Sequence, residues 1–277
     1  MNTFVINLDK YTNNFDKQKP YLENIGLNVT RFKGINAIEN EHLKYKQYIH
    51  DLALYFSPKS IIGCALSHIL LAKYIKDLNL DIALIMEDDA FPLFNKKRFN
   101  KKLEKTINEI NILDKDWDII QLHSDAPFPT HQTYFTHPLC GSTAAYLISK
   151  KGAIKMSNEK ALWHIDIHTS SNSKFKKYRV HHNLFWTEEN SSLNREFSKN
   201  YLINIKSNIL SQLIPLRGEK TWHDFLNFKI ISIPNYKDYT ADEIINYLLL
   251  YNLGKFISNQ LIKRLKYQLF SNMFKIN

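Results

Sequence analysis

Five consecutive apolar residues, Ile82-Ala83-Leu84-Ile85-Met86, run straight into three carboxylates, Glu87-Asp88-Asp89. No other stretch of the chain restricts its fold as much. The run is too short to be a helix of its own. A strand that is apolar on both faces belongs in the middle of a parallel sheet covered by helices. Three adjacent carboxylates at the end of such a strand raise one another's pKa and destabilise the fold unless something compensates. A divalent cation does so naturally, since hard Mg²⁺ or Mn²⁺ takes oxygen ligands and usually keeps waters and a diphosphate as the others. The position agrees, because open α/β sheets bind ligands outside the carboxyl ends of their strands. Extended geometry would put Glu87 and Asp89 on one face and Asp88 on the other. The competing reading is a solvated acidic turn, and the apolar run directly before the triplet argues against it.

Strand and helix signals alternate around this junction. Residues 3–8 and 29–33 read as short strands, with a helix between them through Lys17 to Ile25 that stops at Gly26. Over 61–78, Leu66, Ile69, Leu70, Tyr74 and Leu78 recur at helical spacing, with Lys73, Lys76 and Asp77 on the other side. Lys96 to Leu113 is a basic amphipathic helix. Residues 117–122 and 144–148 are further strands, and Ser149 can cap the helix that follows. The segment 127–138, rich in Pro, His and Thr, reads as a loop. This alternation predicts an α/β domain with a largely parallel sheet flanked by helices.

From about residue 200 the pattern changes. Thr240-Ala241-Asp242-Glu243 resembles a capping box that opens a helix through Leu253, and a second helix runs from about Phe256 to Phe270. The expected organisation is a catalytic domain over 1–215 and a basic helical extension over 216–277. The net charge is +10, and five basic residues with no acidic one follow Glu243. Among them Lys263, Arg264 and Lys266 interleave with an apolar stripe of Ile257, Leu261, Ile262, Leu265 and Leu269. Two readings stay open: a terminal helix packed on the domain, or an interfacial helix on an anionic membrane. Nucleic acid is not expected, because no recognised binding motif accompanies the charge. The opening residues lack a basic leader, and no stretch approaches the roughly 18 apolar residues of a membrane span. A cytoplasmic protein, peripheral at most, is therefore expected. Cys64 and Cys140, the two cysteines, are read as buried thiols rather than a disulfide.

The segment Ile62-Gly63-Cys64-Ala65-Leu66-Ser67-His68 places Ser67 and His68 near the start of the helix that leads into the acidic strand. Helix N-termini attract phosphate, and both side chains can donate to it; a plain surface histidine is the alternative for His68. His164, Asp166 and His168 alternate, and in an extended segment would share a face as a zinc site does, but no fourth ligand is indicated. Lys96, Lys97, Arg98, Lys101 and Lys102 read as a solvated helix face.

Three ordered segments together resemble glycosyltransferase family 25, the lipooligosaccharide and collagen galactosyltransferase family. They are Val5-Ile6-Asn7-Leu8-Asp9, Gly63-Cys64-Ala65-Leu66-Ser67-His68 and Ala83-Leu84-Ile85-Met86-Glu87-Asp88-Asp89-Ala90. Residues 31–37 are similar to the family's second-strand segment and residues 141–153 to its downstream Gly-Thr-Ala-rich strand and helix. The resemblance covers about residues 3–195. It implies a GT-A fold (a Rossmann-like domain), an inverting mechanism, a UDP-sugar donor, a Mn²⁺-type cofactor (or Mg²⁺) and an oligosaccharide or glycolipid acceptor. Glu87 and Asp89 would then hold metal, with Asp88 completing the acidic motif, while Asn7, Asp9, Ser67 and His68 would lie near the nucleotide.

The chain departs from the family pattern at His164-Ile165-Asp166, where Pro-Val-Asp is common, and at Thr187-Glu188-Glu189-Asn190-Ser191-Ser192, where a Gln-Asp pair precedes two serines. An inverting transfer needs a carboxylate to take the acceptor proton; Asp166 is the first choice and Glu188 the second. Two rivals to a galactosyltransferase follow from the same residues. One is a nucleotidyltransferase using the same metal-carboxylate logic, and the other is a silent binding subunit of a glycan assembly complex.

Overall fold

The computed structural model describes residues 1–123, 135–136, 142–162, 164–171, 174–180 and 183–188. The extension expected over 216–277, its boundary near 215, and Cys140 lie outside the described residues. Among the described residues, no helix is long and apolar enough to cross a membrane.

The chain opens with strand β1 (Asn2–Asn7), helix α1 (Thr12–Asn24) and strand β2 (Asn28–Lys33). Gly26 just after α1 has φ +87°, a left-handed turn that reverses the chain into β2 and that glycine adopts without strain. Short 3-10 turns and helix α2 (Asp51–Phe56) lead to α3 (Lys59–Asp77), then to β3 (Ile82–Glu87) and β4 (Ala90–Pro92). Helix α4 spans Lys96–Leu113 as expected from its periodicity, with the Asn95 side chain accepting the Arg98 amide at its start. Strands β5 (Ile119–Gln121), β6 (Phe135–Thr136) and β7 (Ala145–Ser149) follow, then α5 (Lys150–Ser157), α6 (Ile165–Ser171), β8 (Lys177–Val180) and β9 (Phe185–Thr187). Ser149 caps α5 by accepting the Gly152 amide at 3.1 Å, as the sequence suggested.

The main sheet has the order β2-β1-β3-β7-β5-β8-β6. Five of its seven strands run the same way; β7, inserted between β3 and β5, and the edge strand β6 oppose them. The sheet is thus mainly parallel. β6 falls inside the segment read as a loop, because two residues carry too little pattern to mark a strand.

The strand β3 is buried on both faces, as its continuous apolar run requires. Ala83 and Ile85 join a core with α3 and α5, while Leu84 and Met86 join a second core with α1 and α4. Helices therefore cover both faces, and the carboxyl ends of β1 and β3 emerge together between them. A separate ribbon pairs β4 with β9 just beyond that end.

Candidate active site

The strand β3 delivers Glu87 to the sheet's carboxyl edge, and the chain then turns through Asp88 and Asp89 into β4. This turn corrects the alternation expected of extended geometry: Glu87, Asp88 and Asp89 all line one cavity of about 160 Å³. Ile6, Leu8, Tyr11 and Asn14 form one wall, residues 35–38 another, and Gly63, Cys64, Ser67 and His68 of α3 a third. Gly63 is needed for that packing, since a Cβ there would sit 2.5 Å from the Ile35 carbonyl oxygen. Ser67 fixes the same junction by accepting the Ile35 amide at 2.8 Å.

Ser67 and His68 reach the site from the middle of α3, whose first residue is Lys59. The expectation of a phosphate site at a helix N-terminus is therefore corrected. The helix starts earlier because Lys59 and Ser60 extend it beyond the first apolar residue, and the Ser67 hydroxyl donates to the Gly63 carbonyl inside it. Both side chains are buried, and what His68 faces is Glu87.

Glu87 is the hub. Its Oε1 accepts from the Thr143 hydroxyl, lies 3.3 Å from His68 Nε2 and 3.9 Å from Cys64 Sγ. Burial alone would raise its pKa, but the hydrogen bonds and charge of His68, with Thr143 and His123, outweigh burial and hold the carboxyl below its ordinary range. His68 Nδ1 lies 2.9 Å from the Tyr146 hydroxyl. Burial and the Glu87 charge push that phenol well up. The ring thus bridges the two groups, with Nδ1 at the phenol and Nε2 facing Glu87. Burial pushes the Cys64 thiol well up too, with Glu87, Asp166 and Asp89 adding to it.

Asp88 accepts from Asn7 at 2.6 Å and from Asn14 at 3.4 Å; burial raises its pKa, the Asn7 bond opposes, and neighbouring Glu87 adds to the rise. Asn7 is buried, does not line the cavity, and is itself held by Arg31 through Nε to its Oδ1 at 2.7 Å. Asn7 thus acts through Asp88. Asp9 also stands outside the cavity lining, paired with Arg31 and Lys33 at 2.7 Å each. Those hydrogen bonds, Lys33 first, hold its carboxyl below the ordinary range.

His164, Asp166 and His168 do not share an extended face. Residues 165–171 form helix α6, and His168 turns to Glu159 at 2.9 Å. Two residues apart in a helix point in different directions, so the zinc reading of these three is overturned. Asp166 nevertheless acts electrostatically on the site: its charge is felt by Cys64 and by His164. Burial lowers the His164 pKa against the pull of Asp166 and Glu87. Glu188 comes near by another route. The ladder of β4 and β9 carries its amide to the Asp89 carbonyl at 3.1 Å, while its side chain pairs with Lys17 at 2.5 Å.

These residues suit a cation. Among the described residues, the side-chain hydrogen bonds of Glu87 fall on Oε1 and those of Asp88 on Oδ2, so neither carboxylate has both oxygens taken by side chains there. An oxygen set of this kind fits a hard divalent ion. Cys64, His68 and Glu87 also offer sulfur, nitrogen and oxygen atoms within 4.8 Å of one another, a donor set that borderline ions accept. Cys64, Thr143, Tyr146 and His123 were given no role from sequence. Cys64 stands four residues before His68, the spacing that shares a helix face, and Thr143 lies in the Gly-Ser-Thr segment; each had a signal. Tyr146 and His123 had none.

A mainly parallel α/β sheet with carboxylates gathered around a cavity at its carboxyl edge has the arrangement in which open sheets bind ligands. The chain belongs to glycosyltransferase family 25, described as LPS biosynthesis protein, whose model matches residues 1–170. Among curated proteins it is similar to procollagen galactosyltransferase 1-B of Xenopus laevis, 30% identical over 127 residues that cover 43% of this chain and 20% of that protein. Procollagen galactosyltransferase 1-A of the same organism is 24% identical over 180 residues, 57% of this chain and 28% of that protein. The chain thus spans less than a third of either relative. Among solved structures, A197 from STIV aligns with a TM-score of 0.38 at 10% identity, over 67% of this chain and 83% of that one, a likeness too distant to inform the site.

Proposed function

We propose that this family 25 chain is a GT-A-type, inverting transferase that moves a sugar, galactose first, from a UDP-sugar to a surface oligosaccharide such as lipooligosaccharide. The carrying observation is the set of three carboxylates, Glu87, Asp88 and Asp89, turned together into one cavity beside α3. The names of the two galactosyltransferase relatives favour galactose. Glu87 and Asp89 would hold Mn²⁺ or Mg²⁺, with Asp88 beside them. Such an ion supplies charge stabilisation for the departing diphosphate.

The protein's own groups do the rest. Ser67 and His68 line the donor cavity, and Asn7 and Arg31 fix the Asp88 carboxylate. Asp166 takes the proton from an acceptor hydroxyl as its oxygen bonds to the anomeric carbon and the bond from that carbon to the UDP oxygen breaks. Glu188, whose side chain pairs with Lys17, is the second candidate. The basic stretch after Glu243 suits an enzyme that meets a lipid-linked acceptor on an anionic inner membrane surface.

A panel of UDP-sugars tested by thermal shift, with and without Mn²⁺, checks the donor. Ligand at a hundred times its Kd stabilises by about 2.7 kcal/mol, and UDP-galactose is expected to give the largest metal-dependent shift. Turnover is expected to release free UDP. Pyrophosphate from a nucleotide triphosphate would instead establish a nucleotidyltransferase, and no nucleotide-sugar binding at all a silent subunit.

A further inference from the structure

Beyond the cavity, the ribbon of β4 and β9 carries a feature that the donor site does not use. Phe91 and Trp186 are cross-strand partners, stacked with centroids 5.3 Å apart and planes 29° from parallel. Tyr21 of α1 meets Phe91 edge-on at 5.5 Å. Phe91 is buried, but Trp186 is 42% and Tyr21 55% exposed among the described residues. Large aromatic rings usually bury most of their surface, so two at this exposure on one buried ring form a platform.

The platform is rigidly indexed to the acidic turn. Gln18, fully buried in α1, donates through Nε2 to the Glu87 carbonyl at 2.8 Å and the Ala90 carbonyl at 2.5 Å. Trp186 sits opposite Phe91, and Glu188 two residues on donates its amide to the Asp89 carbonyl. Phe91 follows the turn directly, two residues after Asp89 in β4. Lys17 lies over Phe91 at 5.5 Å and pairs with Glu188, placing an ammonium and a carboxylate at the platform's edge.

We propose that Trp186 and Tyr21 form a saccharide subsite on which a pyranose ring of the acceptor stacks. A pyranose has an apolar face of axial C–H bonds and a rim of hydroxyls, so it suits exposed rings bordered by an ion pair that can donate and accept. A protein partner is a poorer match: a stable interface takes about 800 Å² per partner, whereas a buried aromatic side chain accounts for only about 150–250 Å². The inference rests on the transferase reading above, and it assigns the platform to the acceptor rather than the donor.

The test uses the full chain, with methyl β-galactoside, methyl β-glucoside and methyl N-acetyl-β-glucosaminide as probes. Saturation-transfer NMR is expected to mark the axial C–H protons of at least one glycoside in the wild type. Trp186→Ala should abolish that signal and weaken binding about tenfold or more, the scale on which aromatic anchors act. Tyr21→Ala should weaken it less, and Trp186→Phe should restore most of it. Metal-dependent UDP-sugar binding should be unchanged in all three. Saturation transfer that is absent in the wild type, or equal in Trp186→Ala and wild type, overturns the subsite. So does a pattern in which Trp186→Ala and Tyr21→Ala lower the melting temperature while glycoside binding stays constant, since the rings would then cover part of the chain itself. If glycosides bind as expected but no UDP-sugar does, the subsite stands and the transferase reading falls.

Discussion

The two ends of the main sheet treat buried carboxylates in opposite ways. At the amino end, Asp118 just before β5 is completely buried, and its Oδ2 accepts from Lys155 Nζ at 2.6 Å and from the Lys176 amide at 2.7 Å. A cation supplied by α5 closes over it. At the carboxyl end, Glu87 meets a hydroxyl, an imidazole and a thiol, and Asp88 meets two amides. Among the described residues, no lysine or arginine bonds to either. A carboxylate balanced from within the chain is architecture. Carboxylates gathered around a cavity with only neutral or titratable partners hold negative charge that a ligand can balance, which is why the second end is the site.

The contrast is broken most forcefully at Asp89. Asp89→Asn is expected to remove metal-dependent UDP binding by about a thousandfold or more, the several kcal/mol that charge stabilisation by an ion supplies. It should leave the melting temperature equal to the wild type's or above it, because a like charge is relieved. Titration calorimetry of UDP with Mn²⁺ checks the first part. UDP bound by the variant as tightly as by the wild type would place the metal elsewhere, on the Cys64, His68 and Glu87 atoms first.

A smaller effect sharpens the functional end. The charge of Asp166 is felt at Cys64 beside Glu87, and Asp166 does not line the cavity, so it should serve the acceptor and not the donor. Asp166→Asn is expected to lower transfer by about a hundredfold or more while UDP-sugar affinity stays constant. Normal turnover in this variant moves the base to Glu188. At the structural end the pattern reverses. Asp118→Asn should cost about 2 kcal/mol of stability, the scale of a lost charge-assisted bond at a buried group, with donor binding intact at temperatures where the protein is folded. Chemical denaturation with and without UDP-sugar separates the two results.

Much of this division was legible in the sequence, and the reason is local. The run from Ile82 to Met86 followed by Glu87-Asp88-Asp89 states its burial, its position and its charge within eight residues, and the spacing of α4 and the Ser149 cap are equally self-contained. What failed depended on helix starts and turns that residue pattern alone does not mark, or on partners distant in the chain. The start of α3 at Lys59 moved Ser67 and His68 away from a helix terminus. The turn after Glu87 put Asp88 on the same cavity as its neighbours. The helix at Ile165 separated Asp166 from His168. The ring of partners around Glu87 could not be read at all as a unit, since Cys64, His68, Thr143 and Tyr146 converge from α3, from β7 and from the residues just before β7.

Lys177 is the exception that tests the comparison most finely. It lies level with Ile119 at the start of β8, at the amino end of the sheet, and is 2% exposed. Its Nζ donates to two neutral oxygens, the Asp166 carbonyl at 2.9 Å and the Thr169 hydroxyl at 3.0 Å. Burial lowers its pKa to about 8, against the pull of Asp166. An unfolded lysine titrates near 10.4, so between about pH 8 and 10.4 the unfolded chain binds the extra proton. Stability contributed by this group therefore rises with pH across that window, and the burial penalty is fully present below it. Between pH 7 and 9 the wild type should gain about 1 kcal/mol relative to Lys177→Met, in which the group cannot titrate. Comparing the two proteins at each pH cancels the titration of every other group, so urea midpoints at pH 7, 8 and 9 suffice. A difference that stays flat would mean that Lys177 keeps an ordinary pKa. A difference that grows with pH would show that burial at the amino end also shifts a charge, on the lysine that holds the carbonyl of Asp166.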